Sequence, residues 1–221
     1  MKFLLTSAGI RNATLHNALL DLLGKPIAEC NALCIPTATY ANPNGIVRAW
    51  MFISGQDPIC PMCGLGWNSL GVLELTALPS ISKEVWVPKV QETDVLLVNG
   101  GDPLYLGYWM RQSGLADLLP SLRAVYVGFS AGSMVMAPNI GQEFVGWKPP
   151  SGGDETLGLV DFAIFPHLDH EMLPDNSMAG AAKWAAGMRV PGYAIDDETA
   201  IKVVDGAVEV LSEGHWKLFT P

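Results

Sequence analysis

Apolar positions recur along the chain in two alternating rhythms. Short continuous apolar runs predict strands at residues 3–6, 32–35, 72–75, 95–98, 124–127, 162–165, 193–195, 200–204 and 208–211. Between them, apolar residues return at helical spacing. Leu15, Ala18, Leu19, Leu22 and Leu23 form one such face, with Gly24 as its stop signal. Further helices are expected at 105–111, 115–122 and 178–188. Strands that alternate with helices imply an α/β fold, with a mostly parallel sheet covered by helices on both faces. The last two strands are joined by Asp205-Gly206, a hairpin signal, and read as a short antiparallel appendage.

No break in composition divides the pattern, so residues 1–221 are expected to form a single domain. The segments 57–66 and 147–154 carry Pro and Gly and read as irregular loops. The apolar segment Trp50-Met51-Phe52-Ile53 fits either a core element or a dimer contact, leaving monomer and homodimer both open.

Composition narrows the function. The chain is 49% hydrophobic and 16% charged, against about 25% charged residues in an average domain, which favours a large core over disorder. Its net charge is -9 and no two Lys or Arg residues are adjacent, so a nucleic-acid partner is not expected. No apolar run approaches the roughly 20 residues that span a bilayer. The first residues are too short an apolar core for a signal peptide, so a cytoplasmic protein without a membrane partner is expected.

Cys30, Cys34, Cys60 and Cys63 have spacings that could hold zinc. The simpler reading is four free thiols in a reducing compartment, with Cys34 inside a buried strand. Cys60-Pro61-Met62-Cys63 has the form of a redox motif, but glycines follow it where a helix is needed to lower a thiol pKa. His167 and His170 lie near Asp169 and Glu171, but that spacing alone is weak support for a metal. Neither a metal nor a cofactor is therefore expected.

The segment that carries chemistry is Val125-Tyr126-Val127-Gly128-Phe129-Ser130-Ala131-Gly132-Ser133. A strand leads into Gly-x-Ser-x-Gly and then into a helix-compatible stretch, the context of a nucleophile elbow. Ser130 is the candidate nucleophile. Its competing reading is a serine that caps the next helix. A serine needs a base, and His167 follows a predicted strand, so both residues emerge at the carboxyl end of the sheet. Asp196, Asp197 and Glu198 follow another strand and offer three carboxylates to orient the imidazole. Gly100 and Gly101, in Asn99-Gly100-Gly101-Asp102, could supply backbone N–H groups to an oxyanion hole together with Ala131.

These pieces, with Phe165-Pro166-His167 and the run from Ala194 to Ala200, resemble the serine peptidase family of aspartyl dipeptidase (dipeptidase E) and cyanophycinase. The resemblance covers most of the chain. It implies a class I glutamine amidotransferase-like fold and cleavage of small peptides, such as dipeptides with an N-terminal aspartate or a related residue. By position it makes Ser130 the nucleophile, His167 the base and Asp197 the acid. The family commonly has a glutamate at the acid position, so Asp196 and Glu198 stay as alternatives. Asp102 stands where asparagine is usual, and a negative charge there would repel an aspartyl substrate by about a few kcal/mol if desolvated. Arg11, Arg48 and Lys148 lie in loops from which a cation could read the substrate.

Two rival readings remain. An α/β-hydrolase esterase would use Ser130, then Asp175 or Asp196, then His215. A binding homologue would keep the fold without activity.

Overall fold

The computed structural model describes residues 1–57 and 60–221. Its centre is a seven-stranded sheet built from β1 (Lys2–Thr6), β2 (Asn31–Ile35), β3 (Ser69–Val72), β4 (Val95–Val98), β5 (Val125–Phe129), β8 (Thr199–Val204) and β9 (Ala207–Ser212). The strand order is β3-β2-β4-β5-β1-β8-β9. The five strands from β3 to β1 run parallel, and β8 and β9 continue the sheet antiparallel.

The parallel strands read as unbroken apolar runs because both of their faces are buried. Successive residues enter different cores. Phe3, Leu5, Leu96, Val98 and Tyr126 face one side, and Leu4, Val95, Leu97, Val125 and Val127 face the other. Helix α1 (Ala13–Leu23) and helix α2 (Gly45–Ile53) cover the second side through Leu15, Leu19, Leu22 and Phe52. Helices α3 (Lys83–Gln91), α4 (Pro103–Ser113) and α5 (Leu115–Leu118) cover the first side through Trp86, Val90, Leu106, Met110 and Leu115. Asn12 caps α1 by accepting from the Leu15 N–H, and Gly24 ends it in the left-handed conformation. Among the described residues no helix is long and apolar enough to cross a membrane.

Helix α6 (Ala131–Met134) follows β5 directly. A smaller sheet holds β6 (Ala163–Phe165), β7 (Gly192–Ile195) and β10 (Trp216–Phe219), in the order β10-β7-β6. Helix α7 (Met178–Ala186) packs on it through Ala181 and Trp184.

Three expectations need correction. The third strand lies at Ser69–Val72, three residues before the predicted run. It is an edge strand with mostly exposed residues, so it carries little apolar signal. The signal came from Leu73 and Leu75, which turn into the core just beyond it. The last two predicted strands are not an appendage, because β8 pairs with β1 along its length and widens the main sheet. Their turn does match the hairpin signal, since Asp205 and Gly206 both have positive φ. Helices α2 and α3 were not predicted. Helix α3 contains Pro88, a residue that argues against a helix interior. In α2, Phe52 is fully buried while Trp50 is 65% exposed, so the segment belongs partly to the core and partly to the surface.

Candidate active site

The strand ends of both sheets converge on Ser130. The turn after β5 is tight because its glycines leave no room for a side chain. A Cβ on Gly128 would stand 2.6 Å from the Gly132 carbonyl oxygen. The Ser130 N–H donates to the Thr6 carbonyl at 3.1 Å, and Ser133 Oγ donates to the same oxygen at 2.8 Å. These bonds hold Ser130 at φ 49°, a left-handed backbone that costs about 1–3 kcal/mol in a non-glycine residue. The hydroxyl is thereby lifted above the sheet edge, and the residue stays partly exposed.

His167 follows β6 after Pro166 and also has a positive φ, of 57°. Its Nε2 lies 3.0 Å from Ser130 Oγ, and its Nδ1 lies 2.7 Å from Asp197 Oδ1. The ring packs edge-on against Phe129, with centroids 6.0 Å apart. Asp197 follows β7 in the turn before β8. Burial pushes its carboxyl pKa up. The hydrogen bond and charge of His167, the Ser7 hydroxyl and nearby His170 outweigh that effect and hold it below the usual carboxylate range.

Of the three neighbouring acids, only Asp197 bonds the His167 ring. Asp196 accepts from the Glu198 N–H, Thr199 Oγ1 and the His215 N–H. Glu198 accepts from Asn12 Nδ2 at 3.0 Å and lies 4.0 Å from Arg11. His215 is occupied elsewhere, with Nε2 at 2.9 Å from Asp169 and Nδ1 at 3.0 Å from Asp196. Among the described residues it has no bond to Ser130, so the fold does not assemble the esterase order. Asp175 lies in the turn before α7 and, among the described residues, bonds neither His167 nor His215.

The Asn99-Gly100-Gly101-Asp102 turn after β4 closes the other side of Ser130. A Cβ on Gly100 would stand 3.4 Å from the Ser130 Cβ. Gly101 has φ 140°, and a Cβ there would overlap the Ala38 carbonyl. The Gly100 N–H donates to Asn99 Oδ1 at 2.9 Å. Among the described residues no hydrogen bond occupies the N–H of Gly101 or Ala131.

Asp102 does not face the substrate side as the sequence suggested. It is buried, with Oδ1 accepting from the Leu104 and Tyr105 N–H groups at the start of α4 and Oδ2 accepting from the Trp147 N–H at 2.6 Å. A cavity of about 260 Å³ opens instead at Ser130 and His167, lined also by Thr39, Asn42, Arg48 and Met51. Arg48 thus reaches the site. Arg11 lies against Asp197 and Glu198, and Lys148 is not among the lining residues.

All four cysteines are free and buried. Cys63 holds the Cys34 thiol's pKa below its ordinary value, whereas Cys34 and burial push that of Cys63 up. Part of the loop from 57 to 66 lies outside the described residues. Among the described residues no group of His, Cys, Asp and Glu side chains is arranged to hold a metal ion.

Sequence reasoning missed Ser7, which directly follows the first strand. Its hydroxyl donates to Asp197 Oδ1 at 2.9 Å and accepts from the His167 N–H at 2.7 Å.

Comparison with known proteins agrees with this architecture. The model of peptidase family S51 matches residues 3–211. An uncharacterized peptidase of Pasteurella multocida strain Pm70 is 31% identical over 136 residues, which is 58% of this chain and 63% of that protein. The match therefore spans less than two thirds of the relative's length. Two solved structures share the fold. A peptidase from an acI-B1 actinobacterium superposes with a TM-score of 0.69 at 19% identity, covering 99% of this chain and 93% of its own. A candidate peptidase E from Listeria monocytogenes EGD-e gives 0.65 at 18% identity, covering 96% and 98%.

Proposed function

The chain belongs to peptidase family S51, and from that premise we propose that it is a serine peptidase of small peptides that uses Ser130, His167 and Asp197 as a triad. The observation that carries this reading is the unbroken line of contacts from Ser130 Oγ through both nitrogens of His167 to Asp197, at 3.0 and 2.7 Å.

In this reading, Ser130 Oγ attacks the scissile carbonyl carbon while His167 Nε2 takes the hydroxyl proton. Asp197 holds the Nδ1–H tautomer and stabilises the imidazolium. The free N–H groups of Gly101 and Ala131 bind the oxyanion, and Gly100 supports them by holding the Asn99 side chain. His167 then protonates the leaving amine, which departs from an acyl-enzyme at Ser130. A water molecule, deprotonated by His167, releases the acyl group. Every proton transfer runs through His167, so the chemistry calls for no metal or organic cofactor.

The cavity supports a short substrate. At about 260 Å³ it lies just below the usual range of ligand pockets, roughly 300–1,000 Å³, and suits one amino-acid side chain rather than a length of peptide. Arg48 and Asp57 both line it, and we read Arg48 as the group that would receive the acidic side chain of a dipeptide with an N-terminal aspartate or a related residue. Asp102 is engaged by backbone N–H groups and is not among the cavity's lining residues, so its charge is turned from such a substrate. We read residues 1–221 as one peptidase unit, acting in the cytoplasm as a monomer or homodimer.

The test is hydrolysis of Asp-Leu, Ala-Leu, Asn-Leu, β-Asp-Leu and a short-chain ester by wild type and Ser130→Ala. Ser130-dependent cleavage of Asp-Leu is the expected result. Cleavage of neutral dipeptides alone would move the specificity. Turnover of the ester alone, or of nothing, would overturn the peptidase reading.

A further inference from the structure

Ser7 closes a ring of hydrogen bonds around the His167–Asp197 pair. It sits at the end of β1, fully buried, on a different element from either partner. A hydroxyl has one proton to give and can accept at its lone pairs. Ser7 uses both capacities, donating to Asp197 Oδ1 at 2.9 Å and accepting from the His167 backbone N–H at 2.7 Å. The same Asp197 oxygen receives the His167 Nδ1–H at 2.7 Å. Among the described residues the other oxygen has only longer contacts, Arg11 at 3.7 Å and His170 at 3.6 Å. Ser7 therefore fixes which carboxylate oxygen meets the imidazole.

The second bond answers a separate problem. His167 holds φ at 57°, a conformation that a residue with a Cβ adopts only when its surroundings impose it. Its N–H takes no backbone partner among the described residues, and Ser7 Oγ receives it instead. One oxygen atom thus anchors the strained backbone of the proposed base and orients the acid behind it.

We propose that Ser7 is a positioning residue of this site, acting through His167 and Asp197 without touching substrate. The proposal rests on the triad reading above for its kinetic consequence, but its structural content can be measured apart from any substrate.

The experiment compares wild type, Ser7→Ala and the near-isosteric Ser7→Cys. A fluorophosphonate reports the rate of Ser130 acylation, and proton NMR reports the downfield Nδ1–H resonance of His167, assigned by its loss in Asp197→Asn. We expect both Ser7 variants, with thermal unfolding near that of wild type, to acylate about 10- to 100-fold more slowly at saturating probe, with apparent probe affinity unchanged. The Nδ1–H resonance should shift upfield or broaden away. A folded Ser7→Ala or Ser7→Cys protein with wild-type resonance and acylation rate would overturn the proposal. If wild-type Ser130 does not react at all, the triad reading fails. The resonance comparison then still decides whether Ser7 positions the pair.

Discussion

The α-carbon of Gly132 packs directly under the carbonyl of Val98, so closely that a Cβ on Gly132 would overlap the Val98 oxygen. This contact joins the end of β4 to the turn after β5 and holds the Ser130 turn against the Asn99-Gly100-Gly101 turn. Replacing Gly132 with alanine must push the two strand ends apart. We expect Gly132→Ala to destabilise the protein by about 1–3 kcal/mol, as overpacking does, and to displace Ser130 from His167. Urea unfolding and fluorophosphonate labelling of the same samples would check both effects.

The carboxylate assignment can be separated from its neighbours by single substitutions. Asp197→Asn should lower kcat by about 10³- to 10⁴-fold, because the amide favours the wrong imidazole tautomer. Glu198→Gln and His215→Ala should each stay within about tenfold of wild type, since neither side chain bonds Ser130 or the His167 ring. A large loss in His215→Ala with little in His167→Ala would restore the esterase reading.

Asp197 also makes stability depend on pH. Its carboxyl is held below the ordinary range in the native state, whereas the unfolded value is about 3.9. Between the two values the unfolded chain binds more protons, so stability falls as pH falls. The stability difference between wild type and Asp197→Asn should be constant above about pH 5 and shrink as pH drops through the ordinary carboxylate range and then the native pKa. Urea titrations at a series of pH values would reveal this, and a flat difference down to about pH 2 would refute it.

Asp102 is predicted to act on the scaffold and not on the substrate. Asp102→Ala removes the cap of α4 and the anchor of Trp147, and should cost about 1–3 kcal/mol of stability. The KM for an aspartyl dipeptide should change less than threefold, about the size of a distant, indirect effect. A KM that falls sharply would mean that the Asp102 charge does reach the substrate.

Arg48 is predicted to set the proposed preference for an acidic group. Arg48→Ala should raise KM for Asp-Leu about tenfold and leave Ala-Leu nearly unchanged, because one charged hydrogen bond is lost. The difference should narrow at high salt, since Arg48 stands at an exposed cavity wall. Steady-state kinetics on the two dipeptides at two ionic strengths would measure it.

Sequence alone was enough to read the parallel core and to single out Ser130 as the candidate nucleophile. Short, β-branched apolar runs such as Val95–Val98, bounded by turn residues, read as strands buried on both faces, and Gly128 and Gly132 around Ser130 mark a turn with no room for a side chain at either position. His167 was legible because it follows a strand, as Ser130 does. Tertiary structure decided the rest. Asp196, Asp197 and Glu198 are consecutive carboxylates with one local environment in sequence, and only the path of the turn from β7 to β8 points Asp197 at His167. Asp102 looked like a charge beside the substrate until the fold supplied three backbone N–H groups around it. Ser7 gave no signal at all, because a serine at the end of a strand is ordinary. Its proposed role exists only where the end of β1 meets two other strand ends, 160 and 190 residues further along the chain, within hydrogen-bond distance. Periodicity reports what each segment buries, whereas a hydrogen-bonded site depends on which segments meet.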